Sequence, residues 1–243
     1  MTGGGAEMFA RYAYAPNQLG FCGPPDAAAL RDGSDDQVRA VARRFTGAWP
    51  YLRVMATMTG IVDPLDRRLV ESYWLGGGIG ANLDPAEFTA ELLALLGPVA
   101  GRYWAHLGPE LADEAAANHC FHVFGVYPWS RLVGHGNGHP LHVLDSCRIT
   151  WGTVVDRTDD EIALRCRKLS WDGRQLVLTA ETVQPMPIRV DGYAAVPDVS
   201  AGEQVAVHWG RLCGRLDDAQ VRALTASTMR QLEVTNQRLA TRR

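Results

Sequence analysis

The apolar residues change their spacing part-way along the chain, and that change restricts the fold more than any other feature. Between residues 35 and 96 they recur three or four positions apart, as on one face of a helix. Between 148 and 183 they alternate, as on one face of a strand. Helices first, then an antiparallel meander, then a closing helix, predict an α+β fold with a helical half (1–117) and a sheet half with a C-terminal helix (118–243). With no low-complexity linker between the halves, the whole of 1–243 reads as a single domain.

Local signals set the expected boundaries. Val38, Val41, Phe45 and Trp49 make one helix face, which Pro50 should bend or break before the pattern resumes toward Gly60. Asp63-Pro64 reads as an N-cap with proline in the first turn, ahead of Leu65, Leu69 and Tyr73. Asp84-Pro85-Ala86-Glu87 repeats the device, and that helix should stop at Gly97-Pro98. Further helical pieces are expected at 99–107 and after Pro109. Ile149, Trp151, Thr153 and Val155 form one strand face, and Ile162, Leu164 and Cys166 the next. Asp172-Gly173 predicts a type I′ hairpin before Leu176 and Leu178. Residues 122–127 and 141–149 read as further strand, for a sheet of four to five strands. Pro185, Pro187 and Pro197 suggest a loop-rich return, and Asp217 with Gln220 caps the last helix.

Composition excludes some functions. The net charge of −3 leaves no basic surplus for a nucleic-acid backbone. No apolar run approaches the roughly 18–20 residues that span a bilayer, and the first residues lack a secretory pattern, so a cytoplasmic protein without nucleic-acid or membrane partners is expected. The five cysteines are odd in number, scattered and without a CxxC pair, which predicts free thiols.

The chemistry concentrates between 119 and 147, which holds five of the seven histidines and two cysteines. On a strand, Cys120 and His122 would share one face, as two ligands or as a thiol beside its base, with His119 on the other. His135 and His139 sit in His-Gly-Asn-Gly-His, an exposed turn. Other candidate clusters are Tyr14, Asn17 and Cys22 in a docked N-terminal loop, Glu71 and Trp74 before a triple glycine, and His208-Trp209. The glycine run follows a helix and has no Lys-Ser/Thr after it, so it is not a phosphate loop.

Residues 12–17 (YAYAPN) with 20–24, 71–75 (ESYWL), 121–129 (FHVFGVYPW), 143–152 (VLDSCRITWG) and His208-Trp209 together resemble a family of uncharacterised actinobacterial and archaeal proteins, a domain of unknown function, over the full length. The resemblance carries an association with gene neighbourhoods of nickel–iron hydrogenases. It implies an accessory or maturation role for a metalloenzyme, binding a transition-metal ion or a partner subunit through a His/Cys pocket. The alternative is a small-molecule enzyme with His122 as acid or base, a cysteine thiol, and Arg148 as anion anchor. The candidate catalytic residues are His122, Cys147, Glu71 and Tyr14. Asn17, Cys22, Arg148, Trp74 and Tyr127 are candidates for touching a substrate. His122, Cys120 and His208 are candidate metal ligands.

Overall fold

The computed structural model describes residues 4–25, 27–97, 107–136 and 138–241; the helical piece expected at 99–107 lies outside them except for its last residue. The N-terminal residues form a helix, α1 (Gly5–Gln18), rather than a docked loop. Pro16 lies in its last turn, where the missing N–H leaves the Tyr12 carbonyl without its helical donor. That freed carbonyl becomes part of the site described below.

The helices α2 (Ala29–Asp32), α3 (Asp35–Ala42), α4 (Ala48–Thr59), α5 (Arg67–Leu75) and α6 (Pro85–Leu96) follow. The break expected at Pro50 falls earlier, between α3 and α4, and Pro50 sits in the first turn of α4, where its missing donor costs nothing. The cap of α5 is Asp66, whose carboxylate accepts from Arg68 N–H at 2.9 Å; Asp63 instead closes the preceding turn by accepting from Leu65 N–H. Asp84 caps α6 as expected, accepting from Glu87 N–H at 2.8 Å. Leu65, Leu69 and Tyr73 are buried with Phe9, Tyr51 and Leu52 in the main core. After Pro109 comes a single 3₁₀ turn, Pro109–Asp113.

The two stretches read as strand before 150 are helical. Asn118 caps a short turn, α7 (His119–Phe121), by accepting from Phe121 N–H at 3.0 Å. The chain then widens into a π-helical turn, His122–Val126, closed by Tyr127 N–H bonding back to His122 O at 2.9 Å. After it α8 (His139–Cys147) starts with Pro140 in its first turn. Phe121, Val123 and Phe124 are buried on all sides. A short apolar run of that kind has no period that separates strand from helix.

The strands are β1 (Thr150–Arg157), β2 (Glu161–Cys166), β3 (Leu169–Trp171), β4 (Leu176–Leu178), β5 (Thr182–Pro187), β6 (Gln204–His208) and β7 (Arg211–Leu216). Among the described residues they make a five-stranded antiparallel sheet, β5-β2-β1-β6-β7, and a separate ribbon, β3-β4. The proline-rich return is therefore partly strand. β5 lies at the sheet edge, where Pro185 and Pro187 need not donate to a second neighbour. The turn of the β3-β4 ribbon is one residue later than expected: Asp172 N–H bonds Gln175 O at 3.2 Å, so Gly173 and Arg174 are its central residues. Only Gly173 has a positive φ there, as in a type II′ turn. On β1 the deeper side chain is Val154, packed with Ile162, Leu164 and Val205, while Trp151 and Thr153 are half-buried on the opposite face.

A capping box of Asp217 and Gln220 starts α9 (Asp218–Ala240), which buries Leu224, Thr228 and Leu232. Among the described residues no helix is long and apolar enough to cross a membrane.

Candidate metal centre

The π-helical turn carries His122, and its geometry depends on distant partners. Widening the helix releases carbonyls that must be satisfied elsewhere. The Phe124 carbonyl accepts from Ser130 Oγ at 2.6 Å and from Arg238 at 2.9 Å; the Gly125 carbonyl accepts from Arg131 at 2.8 Å. Arg238, near the end of α9, also forms a largely buried ion pair with Glu114. Arg238→Met is therefore expected to lower stability by about 3–5 kcal/mol, read from the urea midpoint, since it leaves Glu114 buried without its counter-charge.

Beside this turn lies a cavity of about 630 Å³, walled largely by aromatic rings. Tyr73 and Trp74 come from α5, His119 and His122 from α7 and the π turn, Cys147 from the end of α8, and His208 from the end of β6. Tyr127, Trp129, Phe21 and Trp209 also line it. Gly47 makes room for His122: a Cβ there would stand 2.9 Å from His122 Nε2.

At the floor of the cavity one donor atom each from His119, Cys147 and His208 lies within 4.8 Å of the other two, and all three residues are buried. His208 Nδ1 lies 2.7 Å from the Tyr12 carbonyl that Pro16 leaves free. A carbonyl only accepts, so Nδ1 carries the proton and Nε2 the lone pair. That Nε2 meets no hydrogen-bond partner among the described residues. His119 Nε2 lies 2.9 Å from the Cys147 carbonyl and 3.9 Å from Cys147 Sγ, and its Nδ1 lies 3.2 Å from the Tyr73 hydroxyl. In this arrangement His119 donates to the carbonyl and accepts from Tyr73.

Burial keeps the imidazoles neutral. It pushes His122 and His208 down to about 4, and holds His119 well below its ordinary value with help from the neighbouring His208 and His122. The same burial pushes the Cys147 thiol far up and the Cys22 thiol up to about 11, although the Tyr127 hydroxyl donates toward Cys22. Neutral imidazoles are the form that binds metal, whereas a buried thiol becomes a ligand only when a cation offsets the cost of its charge.

Of the residues singled out from the sequence, His122, Cys147, His208, Cys22, Trp74 and Tyr127 line this cavity. The others lie elsewhere. Tyr14 packs on Tyr193 at 4.5 Å with Arg211 over its ring. Asn17 donates to the carbonyls of Cys22 and Pro24, which fixes the loop carrying Cys22. Glu71 pairs with Arg67 on the outer side of α5. Arg148 is buried against Asp145 and the Arg167 carbonyl, in a different groove. Cys120 does not share a face with His122; it contacts Thr228 on α9. His135 and His139 are exposed, as their turn suggested. His119, which shares the cluster with Cys147 and His208, is the residue that the strand reading had placed on the opposite face. Asn118 just before it, an N-cap residue ahead of an apolar run, was the signal for a helix start.

A family model described as "Family of unknown function (DUF6390)" matches residues 1–242. The chain belongs to this family. No curated protein and no solved structure matches it. The description of the DUF6390 family names no activity.

Proposed function

We propose that the chain is an accessory protein of metalloenzyme assembly that takes up a transition-metal ion at His119, Cys147 and His208. The convergence of these three donors at the floor of the cavity is the observation that carries this reading. Two imidazoles and a thiolate suit zinc, copper or nickel and do not suit magnesium or calcium. Three protein ligands beside a cavity match sites that keep a position for an incoming group, whereas structural sites are closed by four. Ligands sharing one tetrahedral ion stand roughly 3.3–3.8 Å apart, so the donors here need to draw together slightly. His119 needs to turn its Nε2 from the Cys147 carbonyl and present its Nδ1–H to Tyr73. A nickel–iron hydrogenase is the proposed client, which makes nickel the first metal to test.

Tyr73 and the Tyr12 carbonyl would orient the two imidazoles from behind, as partners of metal-bound histidines do. Tyr73→Phe is expected to lower metal affinity about 10–100-fold while the protein stays folded. Cobalt(II) titration of the metal-free protein tests both statements. The expected result is one equivalent bound with a thiolate-to-cobalt absorption band, weakened by Tyr73→Phe. Binding without a thiolate band would contradict the reading.

A second reading, a small-molecule enzyme with His122 as acid or base, is favoured by one observation: neither ring nitrogen of His122 meets a partner among the described residues, although the residue is only 3% exposed. In that reading Cys22 or Cys147 supplies the thiol, and Arg148 cannot serve as anion anchor, because it lies outside the cavity.

A further inference from the structure

We propose that the cavity receives an uncharged, planar small molecule carrying a hydrogen-bond donor, held between aromatic rings and hydrogen-bonded to His122. This binding function goes beyond the metal centre and does not depend on it.

His122 is the polar group that calls for a ligand. Its ring stands edge-on to Tyr51 and 4.3 Å from Tyr127 between centroids, so it is packed in place. Neither nitrogen meets a hydrogen-bond partner among the described residues, and a buried polar group left so costs about 1–3 kcal/mol. A neutral imidazole offers one N–H and one lone pair, and burial keeps this ring neutral. A ligand with a hydroxyl or N–H satisfies the lone pair, and a carbonyl or ether beside it can satisfy the other side.

The walls set the rest of the chemistry. The volume of about 630 Å³ lies within the roughly 300–1,000 Å³ of small-molecule sites. Indole and phenol rings of Trp74, Trp129, Trp209 and Tyr127 line it, and aromatic walls suit a flat partner. Among the described residues no Asp, Glu, Lys or Arg lines the cavity. A carboxylate, phosphate or ammonium entering it would lose its water with no counter-charge in return. An uncharged ligand avoids that penalty.

Trp209 is set in this wall by a two-residue hairpin turn, in which Gly210 also has a positive φ. It joins β6 to β7 at φ +51°, a left-handed conformation that is unusual for a bulky residue and costs on the order of 1–2 kcal/mol. Its backbone N–H donates to the Ser146 carbonyl at 2.9 Å, and its indole stacks on Phe21 at 3.8 Å between centroids. Phe21 and Leu132, both lining residues, are also 50% and 44% exposed, so the cavity reaches the surface through an apolar rim. An apolar rim suits the entry of an apolar solute.

Calorimetric titration with three naphthalene probes tests the inference, in metal-free and in metal-loaded protein. The expected result is one equivalent of 2-naphthol bound in the metal-free protein. Naphthalene should bind about tenfold more weakly, and naphthalene-2-sulfonate at least about a hundredfold more weakly. His122→Phe, which keeps the ring volume, should lower 2-naphthol affinity about tenfold and leave naphthalene within a factor of about two. The comparison of probes on the unaltered protein stands even where that variant fails to fold. Absence of 2-naphthol binding in both metal states, or sulfonate binding as tight as naphthol, would overturn the inference and leave the metal centre standing. Naphthol binding to protein that takes up no metal would support the inference and contradict the metal centre.

Discussion

Cys147→Ala is expected to lower affinity for nickel, zinc and cobalt by at least about a hundredfold, more than loss of an orienting partner costs, because it removes the one thiolate of the proposed centre. The same substitution should leave the fold close to intact. Cys147 ends α8, its side chain packs among apolar groups, and trimming a thiol to a methyl removes one buried atom. Its backbone carbonyl, which holds His119, is retained. Cys120→Ala serves as the internal control. Cys120 is equally buried but faces Thr228 on α9, away from the triad, so metal affinity should stay within a factor of about two. Competition against a chelator of known affinity reads both variants. Equal losses in the two, or no loss in Cys147→Ala, would remove Cys147 from the centre.

The second large effect is on acid stability. His122 and His208 titrate near 4 when folded, because burial penalises the charged ring, and near 6.5 when the chain is unfolded. As pH falls through 6.5 the unfolded chain gains protons that the folded one refuses. The contribution of these rings is therefore complete above about pH 6.5, is lost steadily as pH falls toward 4, and changes little further once the folded rings are protonated. A gap of about two and a half pH units corresponds to roughly 3 kcal/mol for each ring, and His119 shifts in the same direction. Against typical total stabilities of about 5–15 kcal/mol, this is enough to bring the protein close to unfolding by pH 4.5. Urea unfolding with a chelator present, at pH 7.5 and 4.5, measures the effect. His122→Phe should flatten the dependence by the share of one ring. A urea midpoint that stays constant over that range would contradict the neutral, buried state of these histidines.

What the sequence made legible was local. The caps at Asp84 and at Asp217 with Gln220 carry their own partners three residues away, and both helices start where those residues stand. The alternation in β1 and β2 was visible because each strand has two unlike faces. The misread stretches lack such contrast. Phe121, Val123 and Phe124 are buried whichever way they point, and what decides between strand and helix there is the Asn118 cap together with Arg238, more than a hundred residues away. The N-terminal residues, expected as a docked loop, form a helix instead, and Pro16 in its last turn frees one carbonyl for His208.

The site was half visible for the same reason. His122, Cys147 and His208 stood out by residue type, and the cavity brings all three onto its wall. His119 did not stand out, since an assumed strand pointed it away, and only the tighter helical turn swings it toward Cys147 and His208. Glu71, Tyr14 and Arg148 drew notice as reactive types beside aromatic motifs. Each is held by a partner outside the cavity, which no local pattern reveals.

The most direct test of the central claim is the metal content of the protein purified without an affinity tag and without chelators, measured by elemental analysis against protein concentration. One equivalent of nickel, zinc or copper, lost in Cys147→Ala, is the predicted result. Metal-free protein that stays metal-free after exposure to each of these ions would contradict a metal centre at His119, Cys147 and His208.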